Sequence, residues 1–283
     1  GHLVVIIDNL STGVRANVPE KAEFHQLDIG DAEVGKIFAG YSFDTVIHHA
    51  AQIDVRRSMR EPAADAEINV VGSLKIVEWC RKYEVKKFIF ASTGGAIYGE
   101  QDYFPADEKH PAIPISIYGA DKLAIEQYLY VMHVDNGLSA ICLRYANVYG
   151  PRQNPLGEAG VVAIFTNLML KDEPVVINGD GLQTRDYIFV DDIARINLLA
   201  LNLDGFHIIN AGTGIETDVV TLCEKLITLI GSKQTRSHGP SQAGEQLRSV
   251  ISSDLAKARL NWQPKIGLEL GLRKTVDWFR KSM

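Results

Sequence analysis

A tyrosine and a lysine four residues apart, Tyr118 and Lys122, are the first side chains here whose types and spacing suit chemistry. On a helix, positions i and i+4 share a face, so the ammonium can sit beside the phenol. A nearby cation favours the phenolate and is expected to draw the tyrosine pKa toward working pH, giving a base that takes a hydroxyl proton while hydride leaves the carbon. The spacing alone is weak: Tyr83 and Lys87 repeat it, but there the lysine opens a strand. Context separates the two. Ser92-Thr93-Gly94-Gly95 directly follows a buried strand upstream of Tyr118 and offers a hydroxyl as the third part of a constellation. Arg185, within Gly179-Asp-Gly-Leu-Gln-Thr-Arg-Asp-Tyr187, is expected in a glycine-rich loop before a strand, where a guanidinium can grip a diphosphate bidentately. Arg248 is a second candidate. For either arginine the bland reading is a solvated surface charge.

Strands and helices must alternate to position these groups. Leu3 to Ile7 is a short apolar run closed by Asp8-Asn9, and similar runs follow at Glu23 to Leu27, Thr45 to His49, Lys87 to Ala91 and Ser139 to Leu143. Such runs read as strands buried on both faces. Helical patterns over Ala32 to Ala39, Ala64 to Lys82 and Gly119 to Asn136 separate them. The alternation predicts an α/β fold, a doubly wound parallel sheet of Rossmann type, with ligands gathered at the carboxyl ends of the strands. An acid ending the second strand of such a sheet hydrogen-bonds adenosine ribose hydroxyls, which gives Asp8 a function; as a turn residue it needs none. Asp28 divides likewise between an adenine contact and a cap for the helix starting near Asp31. After Pro151 a smaller, interleaved α/β lobe is expected: a helix over 157–171, strands over 175–177 and 187–190, a helix over 191–203, a strand over 206–209, and helices over 218–230 and 268–281. The expected division gives 1–152 and about 179–206 to a dinucleotide-binding domain, and about 153–178 and 207–283 to a substrate-binding lobe.

Bulk properties narrow the function classes. The 283 residues are 46% hydrophobic and carry a net charge of −6, with both signs mixed along the chain. That composition suits a globular protein and favours neither a nucleic-acid surface nor an anionic membrane. Cys80, Cys142 and Cys223 stand apart without metal-type spacing, so no metal is expected, and unpaired thiols fit a reducing cytoplasm. No apolar run reaches the ~18 residues of a membrane span, and no secretory signal pattern is present.

Several short segments fall in a recognisable order. They are Asp8-Asn-Leu-Ser-Thr-Gly13, His48-His-Ala-Ala51, Asn69-Val-Val-Gly72, Ser92-Thr93, Tyr98-Gly99, Tyr118-x-x-x-Lys122 and Leu143-Arg-Tyr-Ala-Asn-Val-Tyr-Gly-Pro151. Gly179-Asp-Gly181, Arg185-Asp-Tyr-Ile-Phe-Val-Asp-Asp192, Asn210-Ala-Gly212 and Trp262-x-Pro264 continue the series. Essentially end to end, the chain resembles the extended short-chain dehydrogenase/reductase family of NAD-dependent epimerases and dehydratases, most closely its UDP-glucose 4-epimerases. The resemblance implies NAD as cofactor, a UDP-sugar as substrate, and 4-epimerisation of a UDP-hexose through a 4-keto sugar. By the same resemblance Tyr118 is the base, Lys122 holds the nicotinamide ribose and tunes Tyr118, and Thr93 hydrogen-bonds the reacting sugar oxygen. Asp8, Asn9, Asp28, Ile29, Ala50, Ala51, Asn69 and Tyr145 join Tyr118 and Lys122 at the NAD site. Asn147, Val161, Val176, Arg185 and Arg248 belong to the nucleotide-sugar site. Ser249 matches the position limiting bulk at the sugar 2-substituent, so its small side chain implies tolerance of N-acetylated sugars. A homodimer through the helices over Ala64 to Lys82 and Gly119 to Asn136 is also implied.

The sequence departs from the family pattern in three places. The family's first strand and G-x-x-G-x-x-G loop, whose amides hold a pyrophosphate at a helix N-terminus, are not in this sequence, and a longer natural chain is expected to carry them. A substrate-binding R-x-G-D stands here as Gln242-Ala-Gly-Glu245, leaving Arg248 to compensate. Family dehydratases place Asp-Glu as proton donors where this chain has Gly94-Gly95, which speaks against dehydration. The competing readings are another nucleotide-sugar oxidoreductase, such as a UDP-glucuronate decarboxylase or a 4,6-dehydratase, and a catalytically silent nucleotide-binding protein.

Overall fold

The computed structural model describes residues 1–156, 160–233, 236–241 and 246–282. Short β-branched and apolar runs form strands, and amphipathic segments between them form helices. In the first half these are β1 (Val5–Ile7), β2 (Glu23–His25), α1 (Val34–Gly40), β3 (Thr45–His48), α2 (Val55–Arg60), α3 (Pro62–Ala66), α4 (Ser73–Lys82), β4 (Lys87–Thr93), α5 (Ile117–Asn136) and β5 (Ser139–Tyr145). A π-helical turn, Glu67–Gly72, joins α3 to α4. The second half adds β6 (Asn147–Tyr149), α6 (Val161–Leu170), β7 (Val175–Asn178), β8 (Thr184–Phe189), α7 (Val190–Ala200), β9 (Phe206–Ala211), β10 (Glu216–Asp218), α8 (Val219–Ile230), β11 (Arg236–Gly239), β12 (Arg248–Ser249), α9 (Asp254–Leu260) and α10 (Leu268–Ser282).

The central sheet is parallel, in the order β3-β4-β5-β9. Its side chains alternate between two cores, as a period of two requires. Phe88, Phe90 and Cys142 pack with Val77, Ile125 and Leu129 of α4 and α5 on one face. Ile89, Ile141 and Leu143 pack with Ile193, Ile196 and Trp262 on the other. Both faces are covered, which is the doubly wound arrangement expected. β1 and β2 form a separate parallel pair, so among the described residues β1 and β3 each leave one edge without a strand partner. In the smaller lobe β8 pairs with β6 and β12 in parallel and with β10 antiparallel, while β7 pairs with β11. A third core around Phe165, Phe189, Leu222 and Val276 holds that lobe.

Strand pairing runs across the division expected from sequence. β9, expected to open the substrate lobe, adds to β5 in the central sheet, and β8, expected with the dinucleotide domain, lies at the centre of the lobe's sheet. Nothing along the chain distinguishes one parallel strand from another when the partners are far apart in sequence. The helix expected over 157–171 begins at Val161, and residues 157–159 lie outside the described set. Arg185 lies inside β8 rather than in the preceding loop, its backbone in register with Thr217 and Ser249. No helix of the described residues is long and apolar enough to cross a membrane.

Candidate active site

The first turns of α5 are built against the end of β4. Ser116 caps the helix by accepting a hydrogen bond from the Gly119 amide at 3.1 Å. At Gly119 an added Cβ would lie 2.6 Å from the Ala96 carbonyl oxygen, so only glycine allows the helix to approach the loop after β4 this closely. The Tyr118 amide donates to Ser58 Oγ of α2 at 3.1 Å. Lys122 is 3% exposed, and its Nζ donates to the Ala91 carbonyl of β4 at 2.9 Å. The same ammonium lies 4.7 Å from the Phe90 ring centroid and 5.7 Å from that of Tyr118. Thr93 ends β4, in register with Tyr145 of β5. The neighbouring hydroxyl turns away: Ser92 Oγ donates to Glu126 at 2.6 Å, within a buried Glu126–Arg144 ion pair, so Thr93 carries the strand-end hydroxyl of the constellation.

The electrostatics of the pair differ from the expectation. Burial pushes the Tyr118 phenol up, and the negative charge of Asp65 adds to the effect. The expected lowering by Lys122 is overturned because the ammonium sits over the ring face and against a carbonyl, with no hydrogen bond to the phenol oxygen. Burial also lowers Lys122 to about 8, against the opposing pull of Asp65. His48 is buried and lowered to about 3, first by desolvation and then by Lys122, which keeps the ring neutral where it meets Ser73 Oγ at 2.9 Å.

Most residues expected at a dinucleotide follow the carboxyl ends of parallel strands, the edge where such ligands bind. Asp8 follows β1 and accepts the Leu10 amide at 2.7 Å through Oδ1, a turn role that leaves its exposed Oδ2 available. Asn9 donates to Asp28 Oδ2 at 2.8 Å, tying the ends of β1 and β2. Asp28 accepts the Gly30 amide and does not cap α1, which starts at Val34. Ile29 turns its side chain into the core, where it fills the space over Gly72. Ala50 and Ala51 follow β3, half-buried. Asn69, on the π-helical turn, clasps the Gln52 backbone through both its carbonyl oxygen and its amide nitrogen. The Tyr145 hydroxyl lies 2.8 Å from Asn197 Nδ2 and 3.3 Å from His49 Nε2. A ribose fits this edge: Lys122 Nζ has one hydrogen-bond acceptor among the described residues, leaving two of its three N–H groups for a hydroxyl.

The residues expected at the nucleotide-sugar site fall into two groups. Asn147 Oδ1 is buried without a partner and lies 3.3 Å from where a Gly95 Cβ would be, an unsatisfied acceptor beside the Thr93 turn that suits a sugar hydroxyl. Arg185, Ser249 and Arg248 share β8 and β12, with Ser249 buried. Arg185 Nη1 donates to the Thr184 carbonyl at 2.8 Å. Arg248 is neither free nor merely solvated: Nε and Nη2 donate to Glu216 at 3.0 and 2.7 Å, and its guanidinium stacks 3.5 Å from the Phe104 centroid. Val161 begins α6, half-buried, and Val176 is exposed on β7, outside the β8 sheet. Gln242 to Glu245 lie outside the described residues. A cavity of about 560 Å³ between β2 and α1, lined by Phe24, Glu33 and Tyr41 among others, shares no lining residue with any of these groups.

Reading motifs missed Asp65, Asp121, Gln52 and Glu216, which surround the expected residues. Asp121 sits inside Tyr118-Gly-Ala-Asp-Lys122, and Asp65 is one helical turn before Asn69, so helical spacing was the available signal.

A family model described as NAD dependent epimerase/dehydratase family matches residues 1–212. A UDP-glucose 4-epimerase of Thermotoga maritima, solved with UDP-glucose, is 46% identical, with a TM-score of 0.98 over 100% of this chain and 92% of that one. A UDP-glucose 4-epimerase of Thermus thermophilus, solved with NAD, is 42% identical, with a TM-score of 0.95 over 99% of this chain and 92% of that one. A UDP-glucose 4-epimerase of Mycolicibacterium smegmatis is 39% identical over 100% of this chain and 92% of its own length.

Proposed function

The chain belongs to the NAD dependent epimerase/dehydratase family, and on that premise we propose that it inverts the 4-hydroxyl of a UDP-hexose, interconverting UDP-glucose and UDP-galactose. The observation that carries this reading is the bond from Lys122 to the end of β4, which ties the Tyr118 turn to the strand that Thr93 completes. In this reading Tyr118 Oη takes the proton from the 4-hydroxyl and returns it, and Thr93 Oγ1 holds the reacting oxygen. Asp8 and Asp28 receive the adenosine end of the cofactor, while Ala50, Ala51, Asn69 and Tyr145 line its path to Lys122, which holds the nicotinamide ribose. NAD, when bound, supplies a reversible hydride sink for C4 and is regenerated each turnover. Asn147 and Arg185 hold the nucleotide sugar, and Arg248 reaches it when released by Glu216.

Gly94 favours epimerisation over dehydration. Glycine there carries no proton donor, and a Cβ would lie 2.5 Å from Ile251 Cδ1, so a longer side chain would have to push that methyl aside. Incubation with UDP-galactose and resolution of the products tests the reaction. UDP-glucose as the product is expected; a lasting 4-keto sugar or released carbon dioxide would reject epimerisation. Mass spectrometry of the purified chain for retained NAD separates an enzyme from a silent nucleotide-binding protein. We further infer that Ser249 admits a 2-acetamido group, so Ser249→Tyr should lower turnover of UDP-N-acetyl sugars far more than that of UDP-galactose. Equal loss on both would contradict it. The three free cysteines are buried, which supports a cytoplasmic setting. Tyr130, Val131 and Val134 form an exposed apolar stripe on α5, which supports a homodimer through α4 and α5.

A further inference from the structure

The turn that carries Tyr118 is held from α2 as well as from β4. Tyr118 is the second residue of α5, so its amide is among those a helix leaves without an internal partner. Ser116 satisfies the next amide, that of Gly119, and Ser58 of α2 satisfies that of Tyr118 at 3.1 Å. Ser58 is fully buried, and its hydroxyl proton is already committed: Oγ donates to the Val55 carbonyl at 2.7 Å. Toward Tyr118 the oxygen therefore acts only as an acceptor.

With six residues, α2 is too short to hold itself, and bonds from outside fix its start. Asp54 caps it, Oδ1 accepting the Arg57 amide at 2.7 Å. The Gln52 carboxamide holds Asp54 in turn: Oε1 accepts the Asp54 amide, and Nε2 donates to the Asp54 carbonyl at 2.9 Å. The second N–H of Gln52 Nε2 goes to Asp65 Oδ1, buried on α3. Asn69 grips the Gln52 backbone, Oδ1 accepting its amide at 2.8 Å and Nδ2 donating to its carbonyl at 2.9 Å. The remaining Asn69 N–H goes to Asp65 Oδ2 at 3.1 Å, so both carboxamides have spent all their donors on this framework. Ala50 and Ala51 immediately precede Gln52, so one chain of hydrogen bonds runs from the edge expected to line the dinucleotide to the Tyr118 amide.

We propose that Ser58 is a positioning residue for Tyr118, and that the segment from Gln52 to Ser58 is a strut, footed on Asp65 and Asn69, that fixes the base relative to the cofactor edge. The inference rests on the reading of Tyr118 as the base. Proton transfer needs the phenol oxygen within hydrogen-bond reach of the sugar hydroxyl, and a misplacement of about 1 Å costs on the order of 10²-fold in rate. The close approach at Gly119 fixes one side of the turn and Ser58 the other. Ser58 acts through the backbone of Tyr118, so losing it should slow the chemical step and leave the grip on the nucleotide sugar in place.

Ser58→Ala removes the acceptor with little change in volume. At a temperature where the variant is folded, its kcat on UDP-galactose should fall about 10–100-fold with KM within about twofold of the parent. Gln52→Met frees Asp54 and should lower kcat to a similar extent. The double variant should then lose less than about twofold more than Gln52→Met alone, because the strut is already broken. Amide hydrogen exchange of the chain carrying isotope-labelled tyrosine, without substrate, reads the strut directly. The Tyr118 amide should exchange about tenfold faster or more in both single variants, while that of Tyr128, inside α5, keeps its protection. A Ser58→Ala kcat within twofold of the parent, a loss confined to KM, multiplicative losses in the double variant, or unchanged exchange at Tyr118 would overturn the proposal. Because exchange needs no turnover, a chain inactive on UDP-galactose would sink the proposed reaction while the exchange still decides the strut.

Discussion

The Tyr118 phenol holds its proton more tightly than a free tyrosine does, and its environment explains why. Its phenol is pushed up by burial and by Asp65, while Lys122 spends its hydrogen bond on the Ala91 carbonyl. Tyr118→Phe removes the proton acceptor without removing packing volume, so kcat on UDP-galactose should drop about 10²–10⁴-fold. Circular dichroism and calorimetric UDP-glucose binding should stay close to the parent; full activity in the variant would refute the role. Lys122 carries its own signature. Its folded pKa of about 8 lies below the ordinary 10.5, so its contribution to stability is fully present above about 10.5 and is lost as pH falls through about 8. Urea midpoints of the parent relative to Lys122→Met should therefore rise between pH 7 and pH 10. A difference that does not change with pH would show that the lysine is not desolvated in solution.

At the level of elements, the site depends on how closely α5 approaches β4. The helix was legible in the sequence from its apolar spacing, and its start within two residues, but nothing in Tyr118-x-x-x-Lys122 says what lies opposite Gly119. Gly119→Val would drive a side chain into the Ala96 carbonyl and lift the turn that bears Tyr118. We expect a fall in melting temperature of several degrees and a loss of kcat larger than stability alone explains, measured at a temperature where the variant is folded. Ser116→Ala should cost about 1 kcal/mol through the lost cap, read as a lower urea midpoint. Short elements were the least legible. α2, β6, β10 and β12 are too brief for periodicity to register, and their existence follows from pairing or packing against distant residues.

At the scale of the whole molecule, one buried ion pair links the helix layer to the central sheet. Glu126 of α5 receives Arg144 of β5 through two of its guanidinium nitrogens, and Ser92 of β4 completes the cluster. Arg144→Met leaves Glu126 charged and unpaired in the core, so a loss of about 3–5 kcal/mol is expected in chemical denaturation. The apolar stripe on α5, with Val134 68% exposed, makes a second whole-molecule prediction. Val131→Asp should convert a dimer to a monomer in light scattering while leaving the far-ultraviolet spectrum unchanged; a parent chain that is monomeric at every concentration would remove that interface.

The amino-acid order by itself determined the parallel α/β architecture, because strands buried on both faces must be apolar throughout and the helices between them must carry apolar stripes. It also marked Thr93, Tyr118 and Lys122, since hydroxyl, phenol and ammonium at helical and strand-end spacing are rare in combination. Only the tertiary structure decided which strand lies beside which, that Arg185 sits within a strand, that Arg248 is held by Glu216, and that Ile29 faces the core. It also reversed the expected direction for Tyr118. The reason is the same throughout: periodicity reports which face of an element is buried, whereas partners, desolvation and charge proximity arise between residues far apart in the chain.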